Sequence, residues 1–306
     1  MTAPVIPFEA GEARLDWLEL TAALEAGHRL PKAEIGDTFL RRGNDTMLSR
    51  AAWIDGMGLA VKTATVFPGN ADLHMPSIHG GVNLFSDRDG TLDAIIDFHL
   101  VTKWKTAADS LLGALKLARR DSRNILIIGA GTVGHNLYQA YSAGFPDASF
   151  TVWNRTFSKA KAFADAHDNM VPASDLKNAV RAADIITSAT MTVDPILHGD
   201  WLQPGQHVDL IGAYRADMRE ADDTVMRRAR VFVDSRDTTM GHIGEIQIPL
   251  DTGVLTPDDI VADFYDLGSG RVARSGDDEI TLFKNGGGAH LDLMTSRYIL
   301  NQWNAP

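Results

Sequence analysis

The chain has 306 residues, of which 44% are hydrophobic and 23% are charged, with a formal net charge of −11 at pH 7. This composition is typical of a globular protein with two domains or one large one. The absence of cysteine excludes disulfides and thiolate chemistry, and the ten histidines show no metal-ligand spacing, so we expect no metal. The acidic balance argues against nucleic acid or an anionic membrane as a partner. Without an apolar run of about 18 residues or a signal-peptide pattern, we expect a cytoplasmic protein with no membrane span.

Residues 1–120 carry the pattern of a strand-rich α+β domain. Asp16 and Glu19 have the spacing of a capping box, which marks the start of a first helix. Alternating and β-branched residues then predict strands, and Asn44 and Gly56 supply turns between them. The predicted elements are a helix at 16–26, strands within 38–66, strands at 78–85 and 92–98, and a long helix at 101–119.

The segment 124–134, NILIIGAGTVG, predicts a buried strand, a tight loop and a helix. Gly129, Gly131 and Gly134 have G-x-G-x-x-G spacing, and Thr132 and Val133 lie within the same loop. In dinucleotide-binding folds such glycines allow the turn, the approach of the pyrophosphate and close helix–strand packing. A helix predicted at 135–143 would offer N-terminal amides to the phosphates. We expect a dinucleotide site; the alternative is a glycine-rich turn of an unrelated α/β domain.

The end of the next predicted strand, 149–153, indicates which dinucleotide is bound. NAD-binding proteins usually carry an acidic residue about 20 residues after the glycine loop, but here Asn154 is followed by Arg155. An arginine can bind a 2′-phosphate through charge-assisted hydrogen bonds, whereas a carboxylate would repel it. Thr156 could add a hydroxyl donor. The sequence therefore favours NADP(H) over NAD(H), and the alternative is an enzyme that accepts both.

Strand–helix alternation predicts a Rossmann-type doubly wound parallel sheet over 121–289. Further strands are predicted at 184–189, 207–212 and 231–234, and helices at 158–166, 174–182 and 220–229. Ser188, Thr190 and Ile211 lie at the ends of two of these strands, where we expect the nicotinamide pocket. A last helix, 290–306, is expected to return to the first domain.

Two further segments are expected near the cofactor. Asn285 and the glycines at 286–288 form the loop before the last helix, and their backbone amides could meet the nicotinamide or the substrate. Asn285 could hydrogen-bond to either one, and the alternative for the loop is a simple turn. Thr106 begins a run of small residues, 106–108, that would let a cofactor approach the long helix.

Several segments together resemble the ornithine cyclodeaminase/μ-crystallin family over nearly the whole chain. They are GLAVKTATVFPGN, HMPSIHGG, TKWKTAADSLLGA, GAGTVG, ADIITSAT, HVDLIGA, DMREAD and FKNGGGAHLD. That family pairs a strand-rich substrate and dimerisation domain with a Rossmann domain, and it includes cyclodeaminases, alanine dehydrogenases and ketimine reductases. The resemblance implies this fold, a nicotinamide cofactor and a homodimer formed through the strand-rich domain.

The segments TVFPGN, VTKWKTAADS and TLFKNGGGAHLDLM are similar to the branch that reduces cyclic ketimines. Cyclodeaminases carry an aspartate where this chain has Tyr214, three residues before Asp217, and an arginine where it has Lys105. Both departures favour reduction of a preformed imine over elimination of an amine. The resemblance implies a small cyclic imino acid, Δ1-pyrroline-2-carboxylate or Δ1-piperideine-2-carboxylate, reduced to L-proline or L-pipecolate, and a part in proline and hydroxyproline metabolism.

Lys62 is the main candidate for a catalytic residue. An unpaired charge in its apolar strand would cost several kcal/mol, so an anionic group should face it. The alternative is that Lys62 lies at a strand edge with its ammonium group in solvent. The resemblance places the family's active-site lysine here, which could bind the carboxylate or protonate the imine. Arg50 could bind a carboxylate in bidentate fashion, with Arg41 and Arg42 as competitors. The resemblance also implies that Lys105 binds the substrate carboxylate.

His79 is a possible proton donor because the ordinary histidine pKa lies near neutrality, although a structural hydrogen bond is an equal alternative. The expected mechanism holds the imine by its carboxylate, delivers hydride to C2 and takes a proton from Lys62 or water. The competing functions are an ornithine cyclodeaminase, an alanine-type dehydrogenase, and a protein that binds NADPH and a ligand without catalysis.

Overall fold

The computed structural model describes residues 3–73 and 75–305. The chain forms two compact units: unit 1 comprises Met1–Lys105 and Gly288–Pro306, and unit 2 comprises Thr106–Gly287. The ends of the predicted domain spans, residues 1, 2 and 306, and His74 of the HMPSIHGG segment lie outside the described residues. Within those residues, no helix is both long enough and apolar enough to cross a membrane.

Unit 1 is built on a six-stranded sheet in the order β1-β6-β5-β4-β3-β2, antiparallel except for the parallel pair of β1 and β6. Its elements are β1 (Val5–Ile6), α1 (Phe8–Glu12), α2 (Trp17–Gly27), β2 (Glu34–Arg42), β3 (Asp45–Ile54), β4 (Gly58–Val66), β5 (Ile78–Phe85), β6 (Leu92–Asp97), the first part of α3 (Phe98–Leu117), and α10 (Ala289–Asn304). The late helix α10 packs against α2, β3 and β4. It covers the face of β4 that carries Ala60, Lys62 and Ala64.

Unit 2 is built on an eight-stranded parallel sheet in the order β13-β12-β14-β11-β10-β7-β8-β9. Its elements after α3 are β7 (Asn124–Ile128), α4 (Thr132–Gly144), β8 (Ser149–Trp153), α5 (Phe157–Ala164), β9 (Met170–Ala173), α6 (Leu176–Ala182), β10 (Ile185–Ser188), β11 (His207–Leu210), α7 (Asp223–Arg228), β12 (Arg230–Val233), α8 (Arg236–Thr239), α9 (Gly244–Asp251), β13 (Ile260–Ala262) and β14 (Thr281–Lys284). The four central strands are buried, as expected for a parallel sheet covered on both faces, and β7 is an apolar run after its first residue.

The predicted fold class, a doubly wound parallel sheet with a strand-rich α+β unit, is confirmed. Sequence analysis did not predict β1, α1, β9, β13, α8 and α9, which are too short to give a clear hydrophobic period. It also began three elements late, since β2 begins at Glu34, α3 at Phe98 and α4 at Thr132. In α4 the delay arises because Gly134, a poor helix former, lies in the first turn.

The helix α3 is shared between the two units, because the chain passes from one to the other at Lys105/Thr106. In unit 1, Trp104 stacks on Trp17 with ring centroids 3.8 Å apart. In unit 2, Gly113 lies so close to Phe283 that a Cβ would be 2.7 Å from its ring. The helical period runs on through this division, so the pattern carries no sign of it. The observed divisions, 105/106 and 287/288, therefore differ from the predicted ones at 120/121 and 289/290.

Candidate active site

The glycine loop after β7 has a shape that only glycine allows at two of its positions. Gly129 has φ +112°, a conformation that side chains disfavour, and a Cβ there would lie 2.9 Å from the carbonyl oxygen of Ala189. A Cβ on Gly134 would lie 2.1 Å from the carbonyl oxygen of Gly129, so the helix α4 packs directly against the loop. At Gly131, by contrast, a Cβ would meet nothing within 4 Å. The loop therefore leaves open space at its middle glycine.

The first turn of α4 faces this open space with uncapped backbone amides. Gly131 is the N-cap residue, and because it has no side chain it makes no capping hydrogen bond. Thr132 and Val133 are the first two residues of the helix. The N-terminus of a 13-residue helix carries a partial positive charge and free N–H groups. This arrangement fits the pyrophosphate of a dinucleotide.

Asn154 follows β8 and forms a hydrogen bond to the backbone of the glycine loop. Its Oδ1 accepts a hydrogen bond from the N–H of Ala130 at 3.2 Å, and its Nδ2 donates to the carbonyl oxygen of Thr156 at 3.0 Å. Arg155 and Thr156 are exposed next to it. No salt bridge of Arg155 is found among the residues that the structure describes, so its exposed guanidinium is available to a ligand.

Ser188 and Thr190, both expected at the nicotinamide pocket, direct their hydroxyls to a buried carboxylate. Oε1 of Glu220 accepts hydrogen bonds from the hydroxyls of Ser188 and Thr190 and from the N–H of Thr190, the last two at 2.8 Å. Its Oε2 accepts from the N–H groups of Gly212 and Ala213. Glu220 thus holds two loops at the carboxyl end of the sheet, and sequence analysis did not identify it.

The two loops that Glu220 holds also touch each other directly. The N–H of Ile211 donates to the carbonyl oxygen of Ser188 at 2.9 Å. A Cβ on Gly212 would lie 2.0 Å from the carbonyl oxygen of Thr190, so no larger residue fits there. Ile211, predicted near the nicotinamide, is half-buried at this junction.

Asn285 and Thr106 meet in unit 2 through a hydrogen bond. Nδ2 of Asn285 donates to the carbonyl oxygen of Thr106 and to Oγ of Ser110, both at 3.0 Å. The amides of Gly286 and Gly287 donate to Oδ2 of Asp234, at 3.0 and 2.6 Å. The expectation that these two amides meet the nicotinamide or substrate is therefore wrong, because a buried carboxylate already accepts both.

Four buried carboxylates surround the fully buried ammonium of Lys284 beneath these loops. The carboxylates belong to Asp209, Glu220, Asp234 and Glu245. Burial lowers the pKa of Lys284, although the four negative charges act to raise it. Burial also raises the pKa of Asp209 to about 6 and those of Asp234 and Glu245 to about 7. Each carboxylate accepts hydrogen bonds from the protein, so the loops rest on a charged interior that the hydrophobic pattern did not reveal.

In unit 1, Lys62 is buried with its ammonium paired. Its Nζ donates to Oδ1 of Asp292 at 2.9 Å and to Oγ1 of Thr102 at 2.7 Å, and lies 4.6 Å from the ring centre of Phe98. Only 7% of Lys62 is exposed, which excludes the alternative that its ammonium group lies in solvent. Burial lowers the pKa of Lys62 to about 8; Asp292 acts to raise it, and Lys105 and Arg50 act to lower it. Such a lysine can exchange a proton near neutral pH.

Asp292 contacts Lys105, the second candidate lysine, as well as Lys62. Nζ of Lys105 lies 3.4 Å from the Oδ1 atom that Lys62 also contacts, and 3.5 Å from the carbonyl oxygen of Gly288. Asp292 lies in α10 between Leu291 and Leu293, and an acidic residue between two leucines is the signal by which sequence analysis could have found it. Its Oδ2 is buried and has no hydrogen-bond partner among the described residues.

Arg50 faces Lys62 directly across β3 and β4, but its guanidinium is paired elsewhere. The two residues are register partners, so their side chains share one face of the sheet. Nε of Arg50 donates to both oxygens of Asp37 on β2, at 3.2 and 3.0 Å. A substrate carboxylate would therefore compete with Asp37 for Arg50. The other arginine candidates, Arg41 and Arg42, lie on β2, where they are exposed.

His79 lies on the opposite face of the sheet from Lys62. It pairs with Thr65 across β4 and β5, whereas Lys62 pairs with Val82. Because side chains alternate along a strand, an odd offset places them on opposite faces. The proposal that His79 donates the proton to a substrate held by Lys62 is therefore wrong. The face of the sheet on which His79 lies could not be predicted from the sequence, because it depends on the register between β4 and β5.

Tyr214 and Asp217 follow β11 at the surface of unit 2. Tyr214 is 58% exposed. Asp217 pairs with the neighbouring Arg215, with 2.8 Å between Oδ1 and Nε. No group of three or more acidic, histidine or cysteine side chains in the described part of the chain is arranged to hold a metal ion.

The glycine loop, the uncapped helix and the parallel sheet define unit 2 as a Rossmann-type dinucleotide-binding fold. Residues 43–306 match the model of the ornithine cyclodeaminase/mu-crystallin family, and the chain belongs to that family. The family resemblance seen in the sequence is thereby confirmed.

Two relatives and one solved structure show what the chain is similar to along most of its length. The Delta(1)-pyrroline-2-carboxylate reductase of Paracoccus denitrificans is 51% identical over 292 residues, covering 94% of this chain and 92% of that protein. The ketimine reductase mu-crystallin of Mus musculus is 32% identical, covering 81% of this chain and 77% of its own. The structure of Thermococcus litoralis Delta(1)-pyrroline-2-carboxylate reductase in complex with NADH and L-proline matches with a TM-score of 0.88 at 25% identity, covering 97% of this chain and 96% of that one.

Proposed function

We infer that this protein is an NAD(P)H-dependent reductase of cyclic imino acids, which converts Δ1-pyrroline-2-carboxylate, Δ1-piperideine-2-carboxylate or both into L-proline or L-pipecolate. The buried cluster of Lys62, Lys105 and Asp292 carries this inference. Two ammonium groups and one carboxylate leave one positive charge, which suits a substrate with one carboxylate. The 51% identical relative is named for this reduction.

The cofactor is held by the residues of unit 2. The pyrophosphate would lie in the space around Gly131 and receive hydrogen bonds from the amides of Thr132 and Val133. We propose that Ser188 and Thr190 shape the nicotinamide pocket through their backbone, since Glu220 engages their hydroxyls. When bound, the reduced nicotinamide supplies the hydride, a chemistry that no side chain of the protein provides.

The substrate is held by the residues of unit 1. We propose that the ammonium groups of Lys62 and Lys105 bind the substrate carboxylate by charge-assisted hydrogen bonds. Lys62 also supplies the proton for the imine nitrogen, because its lowered pKa, about 8, makes the ammonium a better acid than an ordinary lysine. Arg50 adds positive charge beside Lys62 while its guanidinium stays on Asp37.

The preference for NADP(H) over NAD(H) is a proposal that rests on Arg155. This exposed residue follows Asn154, where NAD-binding folds place an acidic side chain. A guanidinium without a salt-bridge partner among the described residues can bind a 2′-phosphate. A nicotinamide cofactor as such is supported by the relatives, one of which was solved with NADH.

We propose a homodimer formed through the uncovered face of the unit 1 sheet. Alternation places Val5, Leu40, Trp53 and Ile95 on the face opposite Lys62, and they are 67%, 59%, 52% and 37% exposed. Several exposed apolar side chains on one face of a sheet are typical of a surface that a partner covers. The cytoplasmic location and the part in proline and hydroxyproline metabolism stay predictions.

The test is to measure oxidation of NADPH and NADH with each of the two cyclic imines. We expect turnover with both or with one ring size, and none without an imine. Ammonia and proline formed from ornithine without added cofactor would instead indicate a cyclodeaminase. Faster oxidation with pyruvate and ammonia than with any cyclic imine would indicate an alanine-type dehydrogenase, and no oxidation at all would indicate a binding protein.

A further inference from the structure

Asp292 is the one carboxylate among the described residues that contacts both lysines of the candidate site. It lies 2.9 Å from Nζ of Lys62 and 3.4 Å from Nζ of Lys105, through the same oxygen, Oδ1. The residue is 1% exposed, and Oδ2 is buried without a hydrogen-bond partner in the described chain. Leaving a carboxylate oxygen unpaired in the interior is costly, so a role for that oxygen is expected.

The other charged groups around Lys62 act to lower its pKa and so disfavour the ammonium form. Lys105 on α3 and Arg50 on β3 are positive and act to lower the pKa of Lys62, as burial does. His290, on α10 with Asp292, has its pKa lowered well below the usual value by burial, with His28 and Lys105 acting the same way, so it carries no compensating negative charge. His28 on α2 lies 5.5 Å from His290 between ring centres. Among these groups only Asp292 favours the ammonium form of Lys62.

We propose that Asp292 is a positioning residue that keeps Lys62 as an ammonium ion aimed at the imine nitrogen, and so makes Lys62 the proton donor of the reduction. This inference rests on the proposed function, which names Lys62 as the proton donor, and adds the residue that controls the charge of Lys62. In the step, an N–H bond of Lys62 breaks and an N–H bond forms on the imine. C2 gains a C–H bond from the hydride, with its electron pair, that a bound reduced nicotinamide would supply, and the C=N π electrons become the nitrogen lone pair that takes the proton.

After the step, neutral Lys62 recovers its proton from water, and Asp292 determines how readily it does so. The negative charge next to the amine favours the protonated form, since an opposite charge within a few ångströms raises the pKa of a base. The unpaired Oδ2 can accept a hydrogen bond from a water molecule and so hold that water near Nζ of Lys62, to which it gives the proton. Asp292 contacts neither reacting atom in this scheme and acts through Lys62.

The experiment measures the protonation of Lys62 directly and separately from catalysis. The protein has nine lysines, so labelling them with ¹³C at Cε gives a spectrum in which Lys62→Arg identifies the Lys62 signal. We expect Asp292→Asn to lower the titration midpoint of Lys62 by about 1–3 pH units. Lys105→Met should raise it, because Lys105 acts in the opposite direction. Asp292→Glu should restore much of the wild-type midpoint.

Glu12→Gln is the matched control. Glu12 forms an ion pair with Lys103, two residues from Lys105 on the same helix, so this variant also removes a carboxylate from a lysine in unit 1. It should leave the titration of Lys62 unchanged. A Lys62 midpoint that stays in place in Asp292→Asn, or that moves equally in Glu12→Gln, overturns the proposal. If Asp292→Asn does not fold, Lys105→Met and Asp292→Glu decide in the same way, by the direction in which the midpoint moves.

The pH dependence of catalysis supplies a second readout. In Asp292→Asn the basic limb of kcat/KM should move to lower pH together with the NMR midpoint, so that activity at about pH 8 falls about fivefold or more. A lower kcat/KM with an unmoved basic limb would indicate a merely structural role and contradict the proposal. If the wild-type enzyme reduces no cyclic imine, the proposed function fails, while the NMR titration still decides the relation of Asp292 to Lys62.

Discussion

Glu220 accepts hydrogen bonds from both the backbone N–H and the hydroxyl of Thr190, each at 2.8 Å. The carboxylate is fully buried and lies close to the ammonium of Lys284. One acidic side chain thus fixes a loop at the carboxyl edge of the parallel sheet, where Rossmann folds bind their cofactors.

The first prediction concerns Glu220→Ala. Removing a buried carboxylate leaves Lys284 with one fewer counter-charge and several N–H groups unpaired, so the free energy of unfolding should fall by about 3–5 kcal/mol. Urea unfolding measures this change. Asp165→Asn is the control, because Asp165 pairs with Lys161 at the surface and should cost less than about 0.5 kcal/mol. Equal losses in the two variants would contradict the role of Glu220.

The second prediction concerns Lys62→Ala. Loss of both the carboxylate contact and the proton donor should lower kcat by about 10²–10⁴-fold for a cyclic imine. NADPH binding, measured by fluorescence titration, should stay near the wild-type value. Lys103→Ala is the control, since Lys103 pairs with Glu12 and is not among the candidate residues. A kcat of Lys62→Ala that falls less than about tenfold below the wild-type value would contradict the assignment.

The third prediction concerns Arg155→Ala. If Arg155 binds the 2′-phosphate, its removal should raise the KM for NADPH about tenfold, which corresponds to one charged hydrogen bond of about 1.5–3 kcal/mol. The KM for NADH should not change, because NADH has no 2′-phosphate. Arg181→Ala, at an exposed position of α6, should change neither value. An unchanged NADPH-to-NADH preference in Arg155→Ala would remove the argument for NADP(H).

The fourth prediction concerns the pH dependence of stability. Burial raises the pKa of Glu245 to about 7, so the folded state holds a proton that the unfolded chain releases above its ordinary value. The stability that Glu245 contributes is therefore fully present below that ordinary value and is lost as pH rises through about 7. Glu245→Gln, which mimics the protonated form, should destabilise the protein less at about pH 8 than at about pH 5.5. Urea unfolding at both pH values checks this, and a difference that does not depend on pH would be the contrary result.

The fifth prediction concerns assembly. Trp53→Asp places a charge on the uncovered face of the unit 1 sheet and should convert the dimer into a monomer, measured by light scattering after size-exclusion chromatography. Val171→Asp, at a 59% exposed position on β9 of unit 2, is the control and should leave the mass unchanged. A monomeric wild-type protein, or a dimer that survives Trp53→Asp, would contradict the proposed surface.

Sequence patterns located the parts of this protein whose chemistry stands out locally. The glycine loop is recognisable because three glycines at fixed spacing follow an apolar strand, and the structure shows why two of them admit no side chain. Lys62 stands out because it is a charge in an apolar strand. In both cases a few consecutive residues carry the whole signal.

The groups that sequence analysis missed depend on contacts between distant segments. Asp292 meets Lys62 across 230 positions of the chain, and Glu220 meets Ser188 across 32. Acidic residues are rarely buried without a partner, so the sequence alone gives no reason to place either one in the interior. His79 was misplaced for a related reason, since its face of the sheet follows from the register with β4 and not from its own neighbours.

The length of the turn between β3 and β4 determines which residue of β3 lies opposite Lys62. The pairing of Ile54 with Gly58 leaves only residues 55–57 to reverse the chain, and it sets Arg50 opposite Lys62. Inserting one amino acid there and sliding β4 by one position would swap its two faces and turn the ammonium away from α10. Substitutions at residues 55–57 can therefore leave this pairing in place, whereas an insertion or deletion that shifts the register of β4 would separate Lys62 from Asp292 without changing any residue of the candidate site.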